Sequence, residues 1–367
     1  MRILLLKDIV SPYRIPLFNA LAAEDGIELR VVLLSRNDPR RDYPFYESEM
    51  RFDHRVLPGR EIRRGLRWIV FSRGLGPELR RFRPDVLVVG GWIQPAFWQA
   101  IAWARWSKTP LVLWVESTAR DERSGAGPLE AAKRFAIRSA AATIVPGRAA
   151  ADYVRSLGGP GTRVAIAPNA VDLSIFEQRV AEARKDRDRL RAARGLDGCA
   201  FLCVSRLSRE KGVDVLARAF HGVPGELVLV GDGPETELVR ALAPPNARLV
   251  GRVERDQLPE WYAAADCFVM PSRSETWGMA MNEAAAAGLP IVASEAPGAA
   301  YDLVEEGSNG FRVPVEDVDA LRAALTRVAT DPAWRARAGA RTSRLAQEFT
   351  PQAWADAVAN LARTLLD

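Results

Sequence analysis

The sequence predicts an α/β protein built from two doubly wound, Rossmann-like domains. Its 367 residues exceed the roughly 250–300 that a single hydrophobic core organises, so two domains are the natural expectation. Short apolar runs of strand length alternate with longer helical stretches, as in parallel sheets covered by helices on both faces. A content of 48% hydrophobic and 26% charged residues is ordinary for a soluble globular protein.

Taken in order, the run Met1-Arg2-Ile3-Leu4-Leu5-Leu6-Lys7 is too short for a signal peptide or a membrane span and reads as a first buried strand at 3–6. Further strands of the first half are expected at 29–34, 86–89, 111–115, 143–145 and 163–167, and Phe52-Asp53-His54-Arg55-Val56-Leu57 also looks like a strand. The second half places strands at 201–204, 227–230, 248–250, 267–270, 291–293 and 311–313. Between the halves, the charged segment 177–194 reads as one helix that opens the second domain after a crossover at 168–172. The last stretch, 351–366, reads as a helix. The domains are therefore expected at 1–170 and 171–350, with 351–367 as a terminal helix. Cys199, Cys203 and Cys267 fall in or beside strands, which fits reduced core thiols of a cytoplasmic protein rather than a disulfide framework. With only His54 and His221 in the chain and no Cys/His spacing of a zinc site, no metal is expected.

The most informative segment runs from Ser274-Glu275-Thr276-Trp277-Gly278 into Met279-Ala280-Met281-Asn282-Glu283-Ala284-Ala285-Ala286-Ala287-Gly288-Leu289-Pro290. Strong helix formers follow Gly278 and end at Gly288 and Pro290, the usual stop order. An Ala-rich helix entered through a glycine-containing loop offers unpaired N–H groups and a positive dipole end, which suit a phosphate. Glu275 in the entry loop and Glu283 inside the helix can accept hydrogen bonds from sugar or ribose hydroxyls. Taken alone, such a pair would be two solvated glutamates; the neighbouring motifs shift that reading. Upstream, Ser205-Arg206-Leu207-Ser208-Arg209-Glu210-Lys211-Gly212 follows a strand and brings Arg206 and Lys211 to a strand-to-helix turn. Fixed cations there can stabilise a departing diphosphate, a task done elsewhere by a metal ion. Leu227-Val228-Leu229-Val230-Gly231-Asp232-Gly233-Pro234 is a buried strand ending in a double-glycine turn, where Gly231 and Gly233 let a backbone approach a flat ligand or simply sharpen the connection.

In this order, Arg206 with Lys211, then Gly231-Asp232-Gly233-Pro234, then Glu275 and Glu283 in an E-x7-E arrangement, the residues resemble the carboxyl-terminal half of the retaining glycosyltransferases of family 4, which have the GT-B fold. Pro168-Asn169-Ala170-Val171-Asp172 with Phe176 resembles the segment that joins the two domains in that family. Ser11-Pro12-Tyr13-Arg14-Ile15-Pro16-Leu17-Phe18 resembles its first loop in a bacterial subgroup. The resemblance implies two Rossmann-like domains facing across a cleft, the second holding a nucleotide sugar and the first an acceptor, with the final helix crossing back to the first. It implies that Arg206 and Lys211 bind the diphosphate, Glu283 takes the ribose hydroxyls, and Glu275 contacts the donor sugar. Trp277, Gly278, Met279 and Ala280 would supply backbone amides to sugar and phosphate, with Gly231, Gly233 and Asn169 also lining the donor. Ser11 and Tyr13 would lie on the acceptor side. The implied reaction is a metal-independent front-face displacement in which the leaving phosphate takes the acceptor proton. The nucleotide sugar is then a substrate rather than a cofactor, UDP being favoured over GDP from family frequency. No cofactor is expected.

The chain departs from the family where many members carry a histidine near the transferring sugar. Here Leu113-Trp114-Val115-Glu116-Ser117-Thr118 has none, and Glu116 falls at that place. Neither His54 nor His221 stands in a position to substitute. Glu116 either contacts the donor sugar or takes the acceptor proton, or else it pairs with a nearby arginine such as Arg120 and shapes the loop. Two other readings of the chain stay open beside the transferase: a nucleotide-sugar epimerase of the same fold, and a catalytically silent nucleotide-sugar-binding partner.

Charge divides unevenly, with a net of +10 in residues 1–170 and −5 in the remainder. The basic half contains Arg60-Glu61-Ile62-Arg63-Arg64-Gly65-Leu66-Arg67-Trp68-Ile69-Val70-Phe71 and Arg80-Arg81-Phe82-Arg83. Such mixtures can rest on an anionic membrane surface and would suit a lipid-linked glycan acceptor at the inner face of the cell membrane. Abundant arginine, with only five lysines in the chain, accounts for them equally well. Nucleic acid is not expected, since no recognised binding module accompanies the charge. Trp92, Trp98, Trp103 and Trp106 cluster after the strand at 86–89; Trp92 is a candidate for stacking on an acceptor sugar, Trp98 and Trp106 have helical core spacing, and Gln94 near the strand end is an acceptor-site candidate.

Overall fold

The structure, a computed structural model, describes residues 1–38, 44–64, 67–120, 127–159 and 161–367. The chain divides into two compact units. The first takes Met1–Ala119, the segment ending at Val171, and Pro351–Asp367; the second takes Asp172–Thr350 together with Arg120.

The first unit contains β1 (Arg2–Lys7), α1 (Ile15–Ala22), β2 (Glu28–Leu33), β3 (Asp53–Val56), β4 (Gly59–Arg64), β5 (Arg67–Ser72), α2 (Leu75–Phe82), β6 (Val86–Val89), α3 (Pro95–Ser107), β7 (Leu111–Trp114), α4 (Pro128–Ser139), β8 (Ala142–Val145), α5 (Arg148–Gly158) and β9 (Val164–Ile166). Its main sheet is parallel, in the order β3-β2-β1-β6-β7-β8-β9. The direction of winding reverses between β1 and β6. Because the strands are covered on both faces, β1, β6 and β7 carry continuous apolar blocks with almost no exposure.

The second unit contains α6 (Ser174–Lys185), α7 (Arg187–Ala193), β10 (Ala200–Val204), α8 (Val213–Ala219), β11 (Glu226–Val230), α9 (Thr236–Leu242), β12 (Ala247–Gly251), α10 (Leu258–Ala264), β13 (Cys267–Met270), α11 (Met279–Ala286), β14 (Ile291–Ser294), α12 (Ala300–Leu303), β15 (Gly310–Val313), α13 (Val318–Thr330) and α14 (Pro332–Ala346). Its parallel sheet runs β12-β11-β10-β13-β14-β15, reversing between β10 and β13. The helices that close this unit start on aspartate caps: Asp317 accepts from the Ala320 amide at 2.8 Å, and Asp331 from the Trp334 amide at 2.7 Å. The three cysteines are free and buried; burial pushes Cys199 and Cys203 up to about 12 and Cys267 well above the usual thiol range.

The last helix, α15 (Pro351–Leu366), belongs to the first unit and packs on α1. Trp354, fully buried, lies 5.7 Å from the Phe18 ring and 5.2 Å from that of Trp114. These three aromatic rings carry much of the core on that face of the sheet. No helix among the described residues is long and apolar enough to cross a membrane.

Two elements differ from the sequence-based expectation. The segment 177–194 is not one helix but α6 and α7, separated at Asp186, whose backbone leaves helical geometry. The break lets Arg187 and Arg191 reach Asp266 at 2.7 and 2.9 Å. Burial alone would raise the Asp266 pKa, but the Ala200 amide and the two guanidinium groups hold it below the usual carboxylate range. The basic stretch of residues 60–71 forms the antiparallel hairpin β4–β5, outside the main sheet, where no strand was expected. Gly65 and Leu66 lie outside the described residues.

Candidate functional site

In an open doubly wound sheet, ligands sit beyond the carboxyl ends of the strands where the winding reverses. In the second unit that place lies between β10 and β13. The segments leaving these two strands, with the turn after β11, carry most of the donor-site residues named from the sequence.

Lys211 closes a 3-10 turn at Arg209–Lys211 after β10, and Glu275 lies in the loop between β13 and α11. Their side chains form an ion pair across the reversal point, each about one-fifth exposed. Arg206, earlier in the first of these loops, is exposed, and its side chain makes no hydrogen bond or ion pair among the described residues, although its charge helps to hold the nearby Glu210 carboxylate below its usual pKa. One cation is thus already neutralised and the other is open to an anion.

The double-glycine turn brings its backbone close to the neighbouring loop. Gly231 has φ of +131°, and a Cβ there would fall 1.9 Å from the Ser205 carbonyl oxygen; one at Gly233 would fall 2.3 Å from that of Leu207. The close approach is therefore to the Arg206 loop itself. Amide–carbonyl bonds from Ser205 to Val230, from Leu207 to Asp232 and from Glu235 to Leu207, all 2.9–3.0 Å, fix that loop on the turn.

Gly278 caps α11 with φ of +103° and no side-chain cap, so no side chain occupies the amides of the first turn at Met279 and Ala280. Trp277 is buried: its indole donates to Asn282 Oδ1 at 2.8 Å and packs on Phe349. Only its backbone can serve a ligand. Glu283, just over one turn into α11, accepts from the Tyr262 hydroxyl at 2.7 Å. Burial raises its pKa, and the Tyr262 bond offsets only part of that rise.

In the first unit, the loops after β1, β7 and β9 bring together Arg14, Glu116 and Asn169. Arg14 is buried at the end of a 3-10 turn, Pro12–Arg14. One nitrogen donates to Asn169 Oδ1, and the other meets Glu116 Oε1 at 2.6 Å. Lys7 lies 3.6 Å from the same oxygen, and both cations sit over the Trp114 ring, at 4.4 and 4.6 Å from its centroid. The arginine that meets Glu116 is thus Arg14, whereas Arg120 groups with the second unit and bonds to Glu295 and Tyr301. Sequence reasoning quoted Arg14 but gave it no role; a lone cation between two prolines in a motif otherwise uncharged was the available signal.

The acceptor-side candidates separate. Ser11 and Tyr13 are half-buried in the loop after β1. Gln94 is 2% exposed, and its amide is committed to β5: Oε1 accepts from the Val70 N–H at 2.9 Å and Nε2 donates to the Trp68 carbonyl at 3.2 Å. It fastens the hairpin rather than facing a ligand. Trp92 is also buried, and its carbonyl accepts from the Trp98 indole at 2.8 Å. Trp106, expected in the core, is 79% exposed.

Residues 17–175 match the family model described as Glycosyltransferase Family 4, and residues 198–331 the one described as Glycosyl transferases group 1. Glycogen synthase of Mycobacterium tuberculosis is 31% identical over 318 residues, covering 82% of this chain and 72% of that protein. D-inositol 3-phosphate glycosyltransferase of Xylanimonas cellulosilytica is 34% identical over 209 residues, 53% of this chain and 50% of the relative. Among solved structures, sucrose-phosphate synthase of Thermosynechococcus elongatus superimposes with a TM-score of 0.72 at 22% identity, over 99% of this chain and 98% of that one. HepE of Anabaena, solved in complex with UDP, gives 0.76 at 20% identity over 99% and 100%. At these identities the structural likeness concerns the fold.

Proposed function

Since the chain belongs to the glycosyltransferases of GT-B fold, we propose that it is a retaining, metal-independent enzyme that moves a sugar from a nucleoside-diphosphate sugar to a glycan or lipid-linked hydroxyl. The observation that carries this reading is the Lys211–Glu275 ion pair at the reversal point of the second sheet, with the exposed Arg206 in the same segment as Lys211. The solved complexes of HepE with UDP and with UDP-glucose support UDP as the nucleotide.

In this proposal the donor diphosphate takes over Lys211 and is also held by Arg206. Glu275, released from Lys211, accepts a hydrogen bond from a hydroxyl of the donor sugar. Glu283 accepts from the ribose hydroxyls, and the first-turn amides of α11 face the phosphate. The acceptor oxygen forms its bond to the anomeric carbon on the face from which the diphosphate departs. The bond from that carbon to the phosphate oxygen breaks, and the same oxygen takes the acceptor proton. The negative charge that develops on the leaving group falls where the two cations are fixed. Positioning of donor and acceptor supplies on the order of 7–11 kcal/mol in such reactions.

For Glu116, the double contact with Arg14 and Lys7 supports the loop-shaping reading, with the leaving phosphate serving as base. The first unit is proposed to hold the acceptor, with Ser11 and Tyr13 on its loop. A cytoplasmic enzyme acting on a lipid-linked acceptor would reach it through the basic first unit. Arg60, Ile62 and Phe71 are exposed on one face of the β4–β5 hairpin and suit an anionic lipid surface.

Calorimetric titration of the purified chain with UDP, GDP and ADP, with and without EDTA, tests the donor site. Binding of one nucleotide that ignores EDTA and weakens in Lys211→Ala is the expected result. Failure of all three to bind would refute the proposal.

A further inference from the structure

Beneath the Lys211–Glu275 pair lies a second, more deeply buried ion pair to which the mechanism gives no part. Asp214 is 4% exposed in the first turn of α8, three residues past Lys211. Arg273 stands two residues before Glu275. The guanidinium and the carboxylate meet in a parallel, two-bonded fork, Nη1 to Oδ1 at 2.6 Å and Nη2 to Oδ2 at 2.8 Å. Nη1 also donates to the Arg209 carbonyl at 2.9 Å, and Nε donates to Glu316. The backbone continues the seam: the amides of Arg273 and Ser274 both donate to the Glu210 carbonyl, at 2.8 and 3.1 Å.

Each half of this seam is anchored in the segment that presents one member of the outer pair. The Arg209 and Glu210 carbonyls belong to the short turn that ends in Lys211, and Asp214 begins the helix that follows it. Arg273 and Ser274 lead directly into Glu275. A planar fork fixes orientation as well as distance, which an ammonium cannot do. Burial would raise the Asp214 pKa, yet the Arg273 bonds hold it below the ordinary carboxylate range, so the carboxylate stays ionised.

We propose that Asp214 and Arg273 are positioning residues for sugar transfer: their buried fork sets the spacing between Lys211 and Glu275, and so the alignment of the diphosphate with the sugar it leaves. The inference rests on the donor-site reading given above. Neither residue touches the substrate; both act through the two that do.

The test is a cycle of four chains, the parent, Arg273→Lys, Lys211→Ala and the double variant. It is assayed with whichever sugar of a UDP-, GDP- and ADP-linked panel the parent turns over fastest, alongside the melting temperature of each. A misplacement of about 1 Å lowers turnover roughly 100-fold, so Arg273→Lys should lower kcat on that scale with little change in donor KM. In the Lys211→Ala background the same substitution should cost less than about 3-fold, because the residue it positions is gone. Asp214→Asn should reproduce the kcat loss. Equal losses of kcat in both backgrounds, or a lower melting temperature with unchanged kcat, would overturn the inference and leave the pair a purely structural staple. If Lys211→Ala itself turns over like the parent, or no nucleotide sugar reacts, the donor-site reading fails and takes the inference with it. If Lys211→Ala is impaired while Arg273→Lys matches the parent, only the inference fails.

Discussion

Arg14 and Glu116, 102 residues apart in the chain, meet at 2.6 Å above the Trp114 ring. Removing the guanidinium takes a charged donor from Glu116 and another from Asn169. Arg14→Ala should therefore destabilise the chain by about 2 kcal/mol, the usual scale for a hydrogen bond to a charged group. Urea denaturation of Arg14→Ala, Glu116→Gln and the pair together checks it: coupled residues give a double variant less destabilised than the two losses added.

Lys211 and Glu283 should fail in different ways. Lys211→Ala leaves the departing diphosphate uncompensated and should lower kcat more than it raises donor KM. Glu283→Ala removes a charged acceptor of hydroxyl bonds and should weaken nucleotide affinity roughly 10- to 100-fold. Steady-state kinetics and calorimetry on both variants separate the two effects.

Burial raises the Glu283 pKa above the ordinary glutamate value of about 4.3. Nucleotide affinity should accordingly fall as pH drops through that raised value, earlier than for an exposed glutamate. Stability runs the other way. Between the ordinary and the raised pKa the folded chain binds the extra proton, so stability decreases as pH rises through this window. Glu283→Gln should remove that dependence while still binding nucleotide poorly. Melting curves from pH 4 to 8, compared with affinities over the same range, read both trends.

If the β4–β5 hairpin rests on lipid, Arg60→Glu and a double Ile62→Ser, Phe71→Ser change should each reduce sedimentation with anionic vesicles. One surface cation contributes about 1 kcal/mol, or roughly fivefold in partitioning. Neutral vesicles serve as the control, and equal recovery with both lipids in all variants would set the surface aside.

The sheets were legible because buried parallel strands are written as uninterrupted apolar blocks, Leu4-Leu5-Leu6 and Val86-Leu87-Val88-Val89 among them. Strand β4 was not, since Gly59-Arg60-Glu61-Ile62-Arg63-Arg64 holds one large apolar residue and owes its place to Gln94 and to the buried Trp68 and Val70 opposite. Nor was the interruption at Asp186 visible in a charged stretch with uniformly helical composition; it accompanies the pairing of Arg187 and Arg191 with the distant Asp266. At the candidate site, the order of Arg206, Lys211, Glu275 and Glu283 pointed to one ligand. The partners of Arg14 and of Arg273 could not be seen, because they lie 43 to 155 residues away and no local pattern encodes such a pairing.

The burial of Cys199, Cys203 and Cys267 also has a practical side. With their thiols held protonated far above neutral pH, they are poor nucleophiles toward maleimides and similar reagents. A cysteine placed at Trp106, which is already solvent-exposed, and another at the exposed Arg252 would outcompete them for a fluorophore. The chain is thus ready for distance measurements between its two units as nucleotide is added, with the native thiols left in place.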